Sequence, residues 1–273
     1  MSGPLGASQY MYSSGSSGVY SHQIEQSARF DRDDNSRLTR TFGTPSSDQK
    51  FTLSFWLKRA QSCEQIDGET GDAMIIMCKA NGVDGSGAAI YFSNYRTNFI
   101  EVIDLYGFGV NAGNTMTTDN SFRDHAAFNH FVFQYDTTQS TDSDRQRFYL
   151  NGNQLNLSGG THPNQNSNLS RFNDASAHTI GSAGAGNNSF DGYIAEMVFT
   201  DGQSYAPTNF AQSSNGVWVP KDPSGLTFGN NGFYLKFENA SDLGNDSSGN
   251  DNDFTASGFG TDHQVLDSPT FGS

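Results

Sequence analysis

The sequence predicts an all-β fold, an antiparallel β-sandwich with an extended N-terminal arm. Three observations predict it. Short stretches alternate polar and apolar residues at period two, with turn residues between them. The 273 residues include 22 Phe and 11 Tyr, which favour a pleated, half-buried surface, and 30 Gly to serve the turns. No segment carries a sustained helical period.

Taken in order, residues 1–23 form the arm and 24–273 the sandwich. The arm begins MSGPLGASQYMYSSGSSGVYSH and has no acidic or basic residue other than His before Glu25. Rich in Gly and Ser, it cannot bury a core by itself. Tyr10, Tyr12 and Tyr20 are its candidate anchors on a neighbouring subunit. Stretches 26–31 and 36–42 then alternate around Asp33-Asp34-Asn35, which reads as a hairpin. The stretch 51–58 places Phe51, Leu53, Phe55 and Leu57 on one strand face and Trp56 on the other. Further strands are expected at 73–79, 87–93, 98–105 and 129–135. Two short strands flank Asn151-Gly152, a pair suited to a type I′ turn. Loops rich in Ser, Asn and Gly occupy 156–176 and 181–190, with short helical turns expected near 121–127 and 205–212. The last third supplies strands at 193–200, 232–239 and 252–257.

Composition narrows the function. A formal net charge of −14 repels phosphates and anionic lipids, which argues against nucleic acid binding and membrane insertion. No apolar run approaches the roughly 18 residues of a membrane span, and no signal peptide is expected. Cys63 and Cys78 make neither a disulfide framework nor a zinc site. Cys78 follows the apolar run 74–77 and reads as a buried thiol, which fits assembly in a reducing cytoplasm.

Candidate chemistry is sparse. Glycoside hydrolysis needs two carboxylates about 5–10 Å apart. The closest acids on one predicted strand, Glu101 and Asp104, are three residues apart and point to opposite faces, and Glu196 stands alone. These read as ordinary strand acids, so no catalytic residue is named and the chain is expected not to be an enzyme. Asp246, Asn250 and Asp253 offer oxygen ligands for calcium, but the segment lacks the EF-hand glycine and glutamate. A structural turn is the favoured reading, and no metal or other cofactor is expected. His125 and His130 do not have zinc spacing. Tyr95, Tyr106, Phe108, Tyr205 and Trp218 fall near loops and could stack on sugars, yet burial is the commoner fate of such rings. No sugar site is named.

Four motifs, FTLSFWLKRA, HAAFNHFVFQYD, RFYLNGNQL and FDGYIAEMVFTDG, resemble in that order the laminin-G-like and concanavalin-like jelly roll. The later motifs Asp201-Gly-Gln, Trp218-Val-Pro, Asn231-Gly-Phe-Tyr-Leu, the stretch 243–250 and Asp267-Ser-Pro-Thr resemble modules of marine bacteriophage virion proteins. The resemblance implies a non-enzymatic structural protein on the outside of a phage particle, as capsid decoration or as a tail or fibre component. Its arm would dock on other virion subunits, and exchange of that arm would favour a homo-oligomer. The alternative is a carbohydrate-binding adhesin that recognises a host surface glycan. A polysaccharide-degrading glycosidase is weaker for want of paired acids.

Overall fold

The computed structural model describes residues 20–63, 73–79, 87–94, 101–110, 113–168, 172–184 and 188–270. Tyr10, Tyr12 and most of the expected arm lie outside them, as does Tyr95.

Strands run in chain order β1 (Ser27–Phe30), β2 (Arg37–Thr41), β3 (Lys50–Arg59), β4 (Ala73–Lys79), β5 (Ala89–Ser93) and β6 (Val102–Tyr106). They continue with β7 (Thr115–Thr118), β8 (Asn129–Asp136), β9 (Gln146–Leu150), β10 (Asn153–Leu155), β11 (Leu157–Ser158) and β12 (Ala177–Ile180). The last are β13 (Gly192–Asp201), β14 (Ala211–Ser214), β15 (Val217–Pro220), β16 (Phe233–Leu235), β17 (Thr255–Ser257) and β18 (Gln264–Val265). One sheet follows the order β10-β9-β8-β3-β13-β1-β18, with β16 also paired to β13. The other follows β11-β7-β6-β5-β4-β12-β2-β17, and β14 and β15 form a separate hairpin. Every pairing within the sheets is antiparallel.

The core lies between the sheets, where alternation puts it. Phe51, Leu53, Phe55 and Leu57 of β3 face inward with Phe131 and Phe133 of β8, against Ile76, Ile90, Phe92, Ile103 and Leu105 of the opposite sheet. Phe51 stacks on Tyr135 and Phe172 at centroid distances of 5.1 and 5.3 Å. Trp56 faces outward, as the period requires, and is nonetheless buried. The tight turn holds too: Leu150 pairs with Asn153, and Asn151 and Gly152 take φ of 47° and 80°. A side chain at Gly152 would also strike the Trp218 ring at 2.7 Å.

Two sequence expectations are corrected. Stretches 26–31 and 36–42 are not a hairpin, because β1 pairs with β13 and β18 in one sheet while β2 pairs with β12 and β17 in the other. The turn itself is real, with Asn35 at φ 54° and Ser36 N–H donating to the Asp31 carbonyl. It carries the chain across the sandwich, so that Phe30 and Leu38 enter the core from opposite layers. Residues 121–127 form no helical turn. Short 3-10 turns stand at Asp142–Asp144 and, within the expected 205–212 stretch, at Pro207–Asn209.

The C-terminal third roofs the outer face of the first sheet. Phe210, Phe228 and Tyr234 cover Val132 and Val198, while Ile24 and Ala211 pack with Trp56 and Ala195. Asp201, fully buried at the end of β13, ties this roof down. One carboxylate oxygen accepts from Ser46 N–H (2.6 Å) and Asn231 N–H (3.1 Å). The other accepts from the Asn173 amide (2.7 Å) and Ser47 N–H (3.3 Å). Gly229, at φ 74°, lies so close that a Cβ there would sit 2.1 Å from the Asp201 carbonyl oxygen.

Candidate functional site

β13 changes neighbour halfway along its length. Its first half pairs with β1 through Ile194, Tyr193 and Gly192, and its second half with β16 through Met197, Val198 and Phe199. At the changeover the register against β3 slips between Ala195 and Val198. Glu196 is the extra residue of this bulge and takes φ 44°. A glutamate held there costs about 1–3 kcal/mol, which the surrounding pairing must offset. Bulges re-aim a side chain, and this one aims a carboxylate at the gap between the start of β1 and the end of β16.

The gap is a cleft of about 260 Å³, lined among others by His22, Ile24, Glu25, Glu196, Lys236 and Glu238. Glu196 is 7% exposed. Its Oε1 meets His22 Nε2 at 2.6 Å and accepts from the Tyr234 hydroxyl at 2.5 Å. The hydrogen bond to Glu196 raises the His22 pKa above its ordinary value, against partial burial that lowers it. The Tyr234 phenol is pushed up by burial first and by the Glu196 charge second, so it remains a donor at neutral pH. Glu196 is therefore clamped between the His22 ring and the Tyr234 phenol.

This cluster fixes the root of the N-terminal segment, and the Asp267-Ser-Pro-Thr motif completes the clasp. The Ser268 and Thr270 hydroxyls both donate to the Ile24 carbonyl, the latter at 2.7 Å, and Ile24 N–H donates to Thr270 Oγ1 at 2.9 Å. Ser27 Oγ donates to the Asp267 carbonyl at 2.6 Å, and Lys58 pairs with the Asp267 carboxylate. Tyr20, half-buried, stands just before this clasp. The sequence showed Glu196 only as a lone strand acid. Nothing local announces its positive φ, and His22 lies 174 residues away.

The other candidate residues are held in internal contacts. Glu101 pairs with Arg59 at 2.6 Å and accepts from Cys63 N–H at 2.5 Å, and the guanidinium lies over the Phe92 ring. Asp104 accepts from Ser93 Oγ at 2.8 Å and Thr117 Oγ1 at 2.5 Å. His125 lies 3.5 Å from Glu101. His130 is fully buried, stacked on Trp56, and bonded to Ser54 Oγ (2.8 Å). The Trp218 indole N–H donates to its Nδ1 (3.0 Å), which places the proton on Nε2. Burial pushes its pKa down to about 3, so the ring is neutral. Phe108 is in the core, Tyr106 packs on its own sheet, and the Tyr205 hydroxyl accepts from Thr227 N–H. Both cysteines are buried thiols, and Cys78 Sγ donates to the Ser182 carbonyl at 3.3 Å.

Asp246, Asn250 and Asp253 come together as a turn. Asp246 accepts from Tyr234, Ser248 and Asn252 N–H and from the Ser248 hydroxyl, at 2.7–2.9 Å. Its own N–H donates to Asp253 Oδ1 (2.8 Å), and the Asn250 amide donates to the Gly229 and Gly232 carbonyls. Among the described residues, no group of three or more His, Cys, Asp or Glu is arranged to hold a metal ion.

The sequence profile of the Laminin_G_3 family, the concanavalin A-like lectin/glucanases superfamily, matches residues 31–203. The chain belongs to that superfamily, as its two antiparallel sheets indicate. It superposes on a Bacteroides ovatus ATCC 8483 protein assigned provisionally to carbohydrate binding, with a TM-score of 0.55 and 14% identity. That match covers 86% of this chain and 58% of the other, so the chain spans little more than half of that relative's length. A heptameric SAP-like pentraxin from Limulus polyphemus gives a TM-score of 0.44 at 11% identity, over 70% of this chain and 80% of that one. The enzymatically active domain of bacteriophage CBA120 tailspike protein 2 gives 0.41 at 10%, over 74% and 31%. At these identities the likeness shows the fold alone. No curated protein sequence matches the chain.

Proposed function

We propose that this lectin-like sandwich is a non-enzymatic protein of a phage particle's exterior, attached through its N-terminal segment. The observation that carries the reading is the clasp at the root of that segment. Buried Glu196 and Ser268, with half-buried Thr270, grip His22 and Ile24, which gives the N-terminal segment a fixed root on the sandwich. A rigid root lowers the ordering cost of docking an arm on a neighbour. The clasp is made by the C-terminal motif that resembles phage virion modules. The non-catalytic reading is supported by Glu101 and Asp104, both held in internal hydrogen bonds.

The test compares the full chain with one lacking residues 1–19, which keeps the clasp. Binding to particles depleted of this protein should require the deleted segment, and the truncated chain should keep its fold. Equal binding by both chains would overturn the arm's role.

A second reading, a host-glycan adhesin, is favoured by the superfamily itself. It requires the free protein to bind cells or glycans whether or not the arm is present. Glycan release would overturn the non-enzymatic part of both.

A further inference from the structure

Strand β10 ends the first sheet and β11 ends the second, and Asn156 alone connects them. At this lateral edge the sheets enclose a cleft of about 310 Å³, at the low end of the roughly 300–1,000 Å³ usual for small-ligand sites. Leu155 and Leu157 line it together with Gln146, Gln154, Asn156, Ser143 and His162.

Gln146 is the informative residue. On β9 it shares a face with Phe148, which lies in the core, so its side chain points between the sheets. It is 1% exposed, yet neither its Oε1 nor its Nε2 has a hydrogen-bond partner. Buried amides are almost always bonded, and leaving one unbonded is costly. The buried Nδ1 of His162 in the same cleft is also without a partner. Burial lowers the pKa of that ring, so it is a neutral imidazole at pH 7.

The donor and acceptor set selects a ligand class. The lining side chains are amides, a hydroxyl, a neutral imidazole and two leucines, with no carboxylate, ammonium or guanidinium. Arg145, beside Gln146 in the chain, donates to the Gln139, Ser140 and Pro163 carbonyls. Among the described lining residues an anion would find no cation, and a nucleobase only the His162 imidazole to stack on. An amide offers one acceptor and one donor side by side, the complement of two adjacent hydroxyls. We propose that this edge cleft is a saccharide subsite in which the Gln146 amide bonds two neighbouring ring hydroxyls over Leu155 and Leu157, with Asn156, Gln154 and His162 at its rim.

The proposal rests on the glycan-binding reading and deepens it. The full chain is titrated with the methyl glycosides of glucose, galactose, mannose and N-acetylglucosamine, using saturation-transfer NMR and the Gln146 side-chain amide resonance. At least one glycoside is expected to bind and shift that resonance. Gln146→Leu, which keeps the volume and removes both polar atoms, should weaken binding at least tenfold. Should that variant fail to fold, the double variant of exposed Gln154→Ala and Asn156→Ala carries the same test. Unchanged binding in the folded variant, or an unmoved amide resonance, overturns the cleft and leaves glycan binding standing elsewhere. No binding of any glycoside, or of an immobilised glycan panel, overturns both.

Discussion

The Asp201 knot and the Gln146 cleft lie in the same sheet and are equally buried, but they treat polarity in opposite ways. Both oxygens of Asp201 receive two donors each from three separate chain segments, at residues 46–47, 173 and 231. Gln146 has space on one side and no partner at either end of its amide. The comparison teaches where to look for function in a chain this rich in Asp, Asn and Ser. Polar residues that satisfy one another hold the fold together. A buried polar group left without a partner waits for something the chain does not supply.

The largest effect is expected at the knot. Asp201→Ala removes the acceptor of the Ser46, Ser47 and Asn231 N–H groups, the last of them buried, and leaves the Asn173 amide only the Ser47 carbonyl. Each such loss costs on the order of 1–3 kcal/mol, so a fall of about 4 kcal/mol or more is expected in urea denaturation. The roof over the first sheet should loosen with it, exposing Trp218 to a fluorescence quencher. A loss below about 1 kcal/mol would mean that water replaces the carboxylate and that the knot does not hold the roof.

Acid should act next, through His130. Its Nδ1 must keep a lone pair to accept from Trp218, and its pKa of about 3 lies below the unfolded value of 6.5. The folded state therefore binds fewer protons than the unfolded state between these values. This contribution is complete above pH 6.5 and is lost as pH falls toward about 3, at about 1.4 kcal/mol per unit. His130→Gln should flatten that slope in denaturation measured from pH 7 to pH 4. An unchanged slope would show that the ring charges in place.

The cleft should respond with the opposite sign. Gln146→Leu removes two orphaned polar atoms and keeps the apolar floor, so stability should rise by about 1 kcal/mol. For a domain of this size that is roughly 2–4 °C in melting temperature. A fall would mean that ordered water already satisfies the amide, and the contrast with Asp201 would collapse.

How much of this was legible depends on distance along the chain. The two faces of β3 follow from alternation alone, and Asn151-Gly152 specifies its own turn. The stretches 26–31 and 36–42 read correctly as strands but wrongly as partners, because alternation does not say which sheet receives a strand. Crossing from one sheet to the other needs only the same Asp-Asn turn. Glu196 was legible as an acid on a strand. Its bulge and its partners His22 and Tyr234 come from pairing between distant segments. Gln146 sits among Arg145 and Arg147 and gives no local hint of burial, since β9 shows its inward face only once Phe148 is placed against the other sheet.

The smallest effect concerns calcium at the Asp246 turn, and it closes the comparison from the satisfied side. A carboxylate has about four lone-pair sites, and those of Asp246 receive four donors. The Asn250 amide turns its nitrogen, not its oxygen, toward the neighbouring chain, and one oxygen of Asp253 holds the Asp246 N–H. Calcium needs six to eight oxygens and would have to break backbone hydrogen bonds to recruit them. Millimolar calcium or chelator should therefore move the melting temperature by less than about 1 °C, well inside the shift that one kcal/mol of binding would give. A larger calcium-dependent rise that Asp246→Asn removes would show that the turn opens to take the ion, and that a fully bonded carboxylate in this chain can still be a ligand.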